Sequence, residues 1–178
     1  MTSAARRSVP LLLTGAVGSA LALTACASAG PAAPTSPRPA LAQAVAMIPG
    51  AARQVTLSMN YGANANGRKP PSPVTVTDSA KVGEVAWLVD HLPPWPPGTY
   101  NCPPGDGMAL ILAFRAHPGG PPLATADLGL NGCGGTDVTV GGKDYVMGEP
   151  GSARRFAVKV LAAANVPWKL PPFYWPPT

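Results

Sequence analysis

Met108-Ala109-Leu110-Ile111-Leu112-Ala113-Phe114-Arg115-Ala116 is an almost wholly apolar run of strand length, and its reading decides the fold of this 178-residue chain. A run of that length bounded by turn residues belongs near the centre of a sheet, with both faces expected to be covered. Leu123 to Leu130 reads as its hairpin partner, joined through His117-Pro118-Gly119-Gly120-Pro121-Pro122. Beyond it, Thr136 to Val140 and Lys143 to Met147 flank Gly141-Gly142, a two-residue signal for a tight hairpin. Upstream, Val55, Leu57, Met59 and Tyr61 alternate with Thr56, Ser58 and Asn60, the period-two pattern of a strand with one wet face. Gly62 to Ser72 reads as a loop, and Val74-Thr75-Val76 as a short strand.

Two helices bracket the later strands. Asp78 caps a helix beginning at Ser79, in which Val82, Val85, Ala86, Val89 and Leu92 repeat at intervals of three and four. Pro93-Pro94 stops it, and Lys81, Glu84 and His91 fall toward water. From about Ser152 to Ala164 a second helix places Ala153, Phe156, Ala157, Val160, Leu161 and Ala164 on one face, with Arg154, Arg155 and Lys159 on the other. Helices before and after a run of hairpins predict an α+β domain: an antiparallel sheet of about five or six strands with two helices packed on one face. The sequence contains no internal repeat.

The N-terminal part reads differently. Arg6 and Arg7 precede an apolar run from Val9 to Leu23, diluted by Thr14, Gly15, Gly18 and Ser19 and shorter than the roughly 20 residues of a membrane-spanning helix. It ends in Leu23-Thr24-Ala25-Cys26, which resembles the lipobox of bacterial lipoproteins. That resemblance implies cleavage before Cys26, diacylation of its thiol with palmitate-like chains, and residence on the extracytoplasmic face of the cell membrane. Two acyl chains anchor stably where one is marginal, each buried methylene contributing roughly 0.8 kcal/mol. An ordinary secretory signal cut at Ala20-Leu21-Ala22 or Ala27-Ser28-Ala29 is the alternative; Ser8, Val9 and Pro10 do not complete a twin-arginine pattern. Residues 1–25 are then a lipoprotein signal peptide and 26–50 the lipidated Cys with a Pro/Ala-rich tether. Residues 51–178 form a single extracytoplasmic domain. Ala27 to Pro39 buries too little apolar surface to fold, and Leu41 to Ile48 adds a short helical turn ended by Pro49-Gly50.

Assigning Cys26 to lipid leaves Cys102 and Cys133, of three cysteines in all, as one possible disulfide in an oxidising compartment. It closes a loop of about 30 residues, worth roughly 3 to 4 kcal/mol in the chain-entropy model. The stretch from Asn101-Cys102-Pro103 to Gly134, with its enclosed strand pair, resembles a module of uncharacterised exported proteins of high-GC Gram-positive bacteria. That likeness implies a location and carries no activity.

Composition and motifs exclude several classes. Removal of Arg6 and Arg7 leaves 11 of the 13 basic residues against 8 acidic ones, a net charge near +3. No basic run is interleaved with aromatics, so no nucleic-acid partner is expected. There is no GxSxG, and the only histidines, His91 and His117, have no triad context. HExxH and short-spaced Cys or His ligands are absent, so neither metal nor other cofactor is expected, nor any catalytic residue. The carboxylates Asp78, Asp90, Asp106, Asp127, Asp137 and Asp144 are scattered. A hydrolase would need some of them to pair in space.

Aromatic clusters are the remaining candidates. Trp95 stands within Pro93-Pro94-Trp95-Pro96-Pro97 before Tyr100, while Trp168, Phe173, Tyr174 and Trp175 crowd the proline-rich end. Prolines present rings at low entropic cost, which suits recognition of an envelope protein or polymer. Alternatively, the rings fold back over the sheet edge and the disulfide; if the tail is exposed instead, Leu170 to Pro177 is itself a polyproline ligand. The expected function is a lipid-anchored cell-envelope interaction module with a proline-framed aromatic surface. An exported inhibitor of a protease or wall enzyme, inserting the loop Pro93 to Pro104, and an envelope hydrolase with spatially assembled carboxylates are the alternatives.

Overall fold

Residues 46–63, 65 and 67–172 are described by the computed structural model; Cys26 and the aromatic end Phe173, Tyr174 and Trp175 lie outside the described residues. Along the chain run β1 (Gln54–Tyr61), β2 (Val74–Val76), α1 (Ser79–Asp90), β3 (Met108–Arg115), β4 (Ala124–Gly129), β5 (Thr136–Val140), β6 (Lys143–Met147) and α2 (Ala153–Ala163). The strands form one antiparallel sheet in the order β2-β1-β3-β4-β5-β6. With both helices on one face, this is the α+β architecture expected from the hairpin pattern.

Alternation selects the inner face. Val55, Leu57, Leu110, Leu112, Phe114, Ala126, Leu128 and Val138 are fully buried beneath Val85 and Val89 of α1 and Ala157 and Val160 of α2. Each fully buried side chain of valine size or larger contributes about 1.5–3 kcal/mol relative to exposure. Asp78 caps α1 as expected, accepting from the Ala80 and Lys81 amides at 2.9 and 3.2 Å. At the Gly141-Gly142 hairpin both residues have positive φ, 57° and 75°, the conformation a tight turn between twisted strands requires.

Three expectations need correction. Among the described residues no second layer covers the outer face of β3: Ala109 is buried, but Ile111, Ala113 and Arg115 are half-exposed, flanked by cross-strand neighbours such as Ser58, Asp127, Thr56 and Thr125. In Leu41 to Ile48, the described residues 46–48 are not helical. Here the amides of Met47 and Ile48 instead donate to the Asp90 carboxylate at the end of α1, both at 2.8 Å. Arg154, placed toward water by helical periodicity, is half-buried, and its Nη2 donates to the Pro171 carbonyl. The segment returning after α2 covers it.

Candidate functional site

Within Pro93-Pro94-Trp95-Pro96-Pro97, Trp95 is the one residue that keeps a backbone N–H. It donates to the Val146 carbonyl of β6 at 3.0 Å, and the Gly148 amide donates to the Pro93 carbonyl at 2.6 Å. Pro94 thereby forms a single bridge with Met147. A proline-flanked bridge satisfies the end of an edge strand yet cannot extend along it, which blunts the edge.

The aromatic rings brace this loop from below. Trp95 lies over Gly135, where an added Cβ would meet Cζ3 at 2.5 Å. Tyr100 meets Trp95 edge-on with centroids 5.5 Å apart, and its hydroxyl donates to the Pro96 carbonyl at 2.8 Å. Next, Cys102 is disulfide-bonded to Cys133 across a separation of 31 residues. Beside that bond Asp106 accepts from the Met108 amide at 2.9 Å and from the Asn131 side chain, while its carbonyl accepts from the Ala63 amide. Asp106, isolated in the sequence, thus ties the loop to the ends of β1, β3 and β4. Trp95 and Tyr100 are half-buried, whereas Pro97, Gly98, Thr99 and Asn101 are exposed. What Pro93 to Pro104 offers to solvent is proline and polar backbone.

Trp168 belongs to a different place. It is half-buried beside α2, bordering with Leu170, Val158, Leu161 and Arg154 an open groove of about 490 Å³. Among the described residues no ring contact joins it to Trp95 or Tyr100. A second open cavity, of about 230 Å³, lies at the start of α2 between Pro93, Glu149, Arg155 and Lys159.

Two features escaped sequence reasoning. Trp87 is 56% exposed and stacks on His91 at 4.1 Å. Its position off the Val82, Val85, Val89 stripe was the available signal. Asp127 and Asp137 are direct cross-strand partners on the outer face. Burial, with the Asp137 charge adding to it, raises the Asp127 pKa from its ordinary value of 3.8. Neither of the two cavities is lined by this pair. Among the described residues no group of three or more His, Cys, Asp or Glu is placed to hold a metal ion. No helix there is long and apolar enough to cross a membrane.

A raised carboxyl pKa makes the folded state bind its proton more tightly than the unfolded chain does. The stabilisation is complete below 3.8 and disappears as pH rises through the elevated folded value. Like charges directly opposite on neighbouring strands cost about 0.2–1 kcal/mol. Asp127→Asn is therefore expected to raise the melting temperature at neutral pH by roughly 2 °C. The gain should shrink as pH is lowered through the elevated pKa, followed by circular dichroism melts across that range. A constant difference at every pH would contradict the assignment.

These observations define a disulfide-stapled α+β domain whose proline-rich loop pairs with the end of one edge strand. Comparison with protein-family models, with curated proteins and with solved structures finds no match.

Proposed function

We propose that the chain is a lipid-anchored module of the cell envelope that binds a partner at the outer face of the cytoplasmic membrane through the loop Pro93 to Pro104. The observation that carries this reading is the bracing of that loop. Backbone bonds to β6 hold its start, the Trp95–Tyr100 pair holds its base, and the Cys102–Cys133 bond holds its end. Pro97 to Thr99 remain exposed between these supports. Ordering such a loop before binding removes an entropic cost that a flexible one would bear, about 0.5–1.5 kcal/mol for each rotamer-rich side chain that would otherwise be immobilised. The same bracing favours a second reading, an exported inhibitor that inserts the loop into the cleft of a protease or wall enzyme.

Anchorage rests on Leu23-Thr24-Ala25-Cys26, and Trp168, Phe173, Tyr174 and Trp175 are a further candidate contact region. Catalysis forms no part of the proposal. A photo-crosslinking residue at Thr99 of the full chain, expressed in its own envelope, is expected to trap one membrane-associated or wall-associated protein. The same group at exposed Glu84 of α1 should not trap it. An identical crosslinking pattern from both sites would refute recognition by the loop. Labelled palmitate should enter the wild-type chain and be lost in Cys26→Ser, whereas label in neither would remove the anchor.

A further inference from the structure

Antiparallel pairing makes alternate residues of an edge strand turn both backbone groups away from the sheet. Trp95 donates to the Val146 carbonyl, so the even-numbered residues of β6 face outward. Val146 and Gly148 are thereby engaged by the Pro93–Trp95 segment, and Asp144 is the next outward residue along the strand. Its main-chain N–H and C=O have no partner among the described residues. Lys143 to Val146 are all exposed, with Tyr145 at 40% and Val146 at 50%.

On the outer face the side chains around this gap are acidic, while Lys143 projects on the opposite face. Asp144 lies on the outer face, accepting from the Thr139 hydroxyl at 2.6 Å, and Asp137 and Asp127 follow on that face across β5 and β4. The outer-face cation of β3, Arg115, is occupied by the Gly120 carbonyl and the Thr56 hydroxyl. A seventh strand would run about 4.8 Å from β6. Its outer-face side chain would come roughly 5 Å from the Asp144 Cβ.

We propose that the free stretch of β6 at Lys143–Tyr145 receives an extended basic peptide of a partner protein as an added strand, with main-chain bonds to Asp144 and lysine or arginine side chains over the Asp144–Asp137–Asp127 face. The chain already lays one segment of its own, Pro93 to Trp95, on the same edge, so the added strand continues an existing line of pairing. Pro97 ends that segment, because the next donor that would face β6 after Trp95 falls at a residue with no N–H. A second copy of this chain fits less well. With Val146 engaged, a twofold pairing that uses the free groups sets Asp144 opposite its own equivalent, and like charges there repel. The proposal rests on reading the domain as an interaction module, and it concerns a surface distinct from Pro97 to Thr99. Its test therefore uses synthetic peptides, which fail or succeed independently of the crosslinking from Thr99.

The full chain in detergent would be titrated with two labelled hexapeptides, one alternating Lys and Val, the other alternating Glu and Val, with anisotropy as the readout. The Lys-Val peptide is expected to bind at least tenfold more tightly than the Glu-Val peptide, with the preference fading at high salt. Asp144→Pro removes both the outward-facing N–H and the carboxylate that accepts from Thr139, and is expected to weaken the Lys-Val peptide at least tenfold, equivalent to about 1.4 kcal/mol. Asp144→Lys leaves every backbone group in place and should abolish the preference even if the proline variant does not fold. Equal binding of the two peptides would overturn the proposal. So would a preference unaltered in Asp144→Lys, or a concentration-dependent dimer in sedimentation that Asp144→Lys dissociates.

Discussion

Gly134→Ala should unfold the domain or come close to it, because a Cβ at that position would stand 1.7 Å from the Gly129 carbonyl oxygen and 2.6 Å from its carbon. Both are backbone atoms at the end of β4, so no rotamer change relieves the overlap. The turn from Asn131 to Gly134 is closed by a bond from the Gly134 amide to the Asn131 carbonyl at 3.1 Å, and the Gly129 amide bonds the Gly135 carbonyl at 3.0 Å. Opening the turn to admit a methyl group breaks that pairing and displaces Cys133, whose carbonyl accepts from the Gly151 amide. It also disturbs the start of α2, where the Ala153 amide reaches the Gly134 carbonyl at 3.4 Å. A loss above about 4 kcal/mol is expected, at the extreme of single substitutions and comparable with the whole stability of a small domain.

Two neighbouring substitutions calibrate that result in urea melts. Gly135→Ala meets Trp95 ring atoms at 2.5 and 2.9 Å, with the Met147 carbonyl oxygen further off at 3.3 Å. The ring can yield, at a cost of about 1–3 kcal/mol as for other overpacked sites. Gly50→Ala meets nothing within 4 Å and should stay within about 0.5 kcal/mol of wild type. A Gly134→Ala protein melting alongside Gly50→Ala would show that the turn has another conformation available.

The reason Gly134 matters was invisible in the sequence, whereas the elements around it were legible. Local pattern sufficed for β1, for the Gly141-Gly142 hairpin and for both helices, since each carries its own periodicity and stop signals. The central position of β3 was legible too, because an apolar run of that length must be shielded. It misled on the outer face, because Ile111 and Ala113 can be half-screened by lateral neighbours without any covering layer. Relations between distant segments were not legible. That the lone N–H in Pro93-Pro94-Trp95-Pro96-Pro97 belongs to Trp95 could be read directly. That its acceptor is Val146, 51 positions later in the numbering, could not. The pairing of Asp127 with Asp137 depends on the length of an irregular turn, which no period encodes. Arg154 followed helical periodicity correctly and was buried by the segment after α2, a tertiary effect.

Breaking the Cys102–Cys133 bond is expected to lower stability by about 3 to 4 kcal/mol, since the chain-entropy relation for the 31-residue separation gives roughly that value. For a domain of this size the corresponding fall in melting temperature is roughly 10 °C. Cys102→Ser with Cys133→Ser should reproduce the effect of a reductant on the wild type, and adding reductant to the double variant should change nothing further. The loss is expected to be uneven. Trp95 keeps its bond to Val146 and Asp106 keeps its ties to Met108 and Asn131, so the sheet should persist. The exposed stretch from Pro97 to Asn101, held between those supports, should lose its order first, and hydrogen exchange at Gly98, Thr99 and Asn101 would report it. If recognition depends on a preorganised loop, crosslinking from Thr99 should fall in the double variant at temperatures where the circular dichroism is still native. Unchanged exchange at those amides together with an unchanged melting midpoint would show that the bond contributes neither stability nor order, and the bracing argument would lose its covalent support.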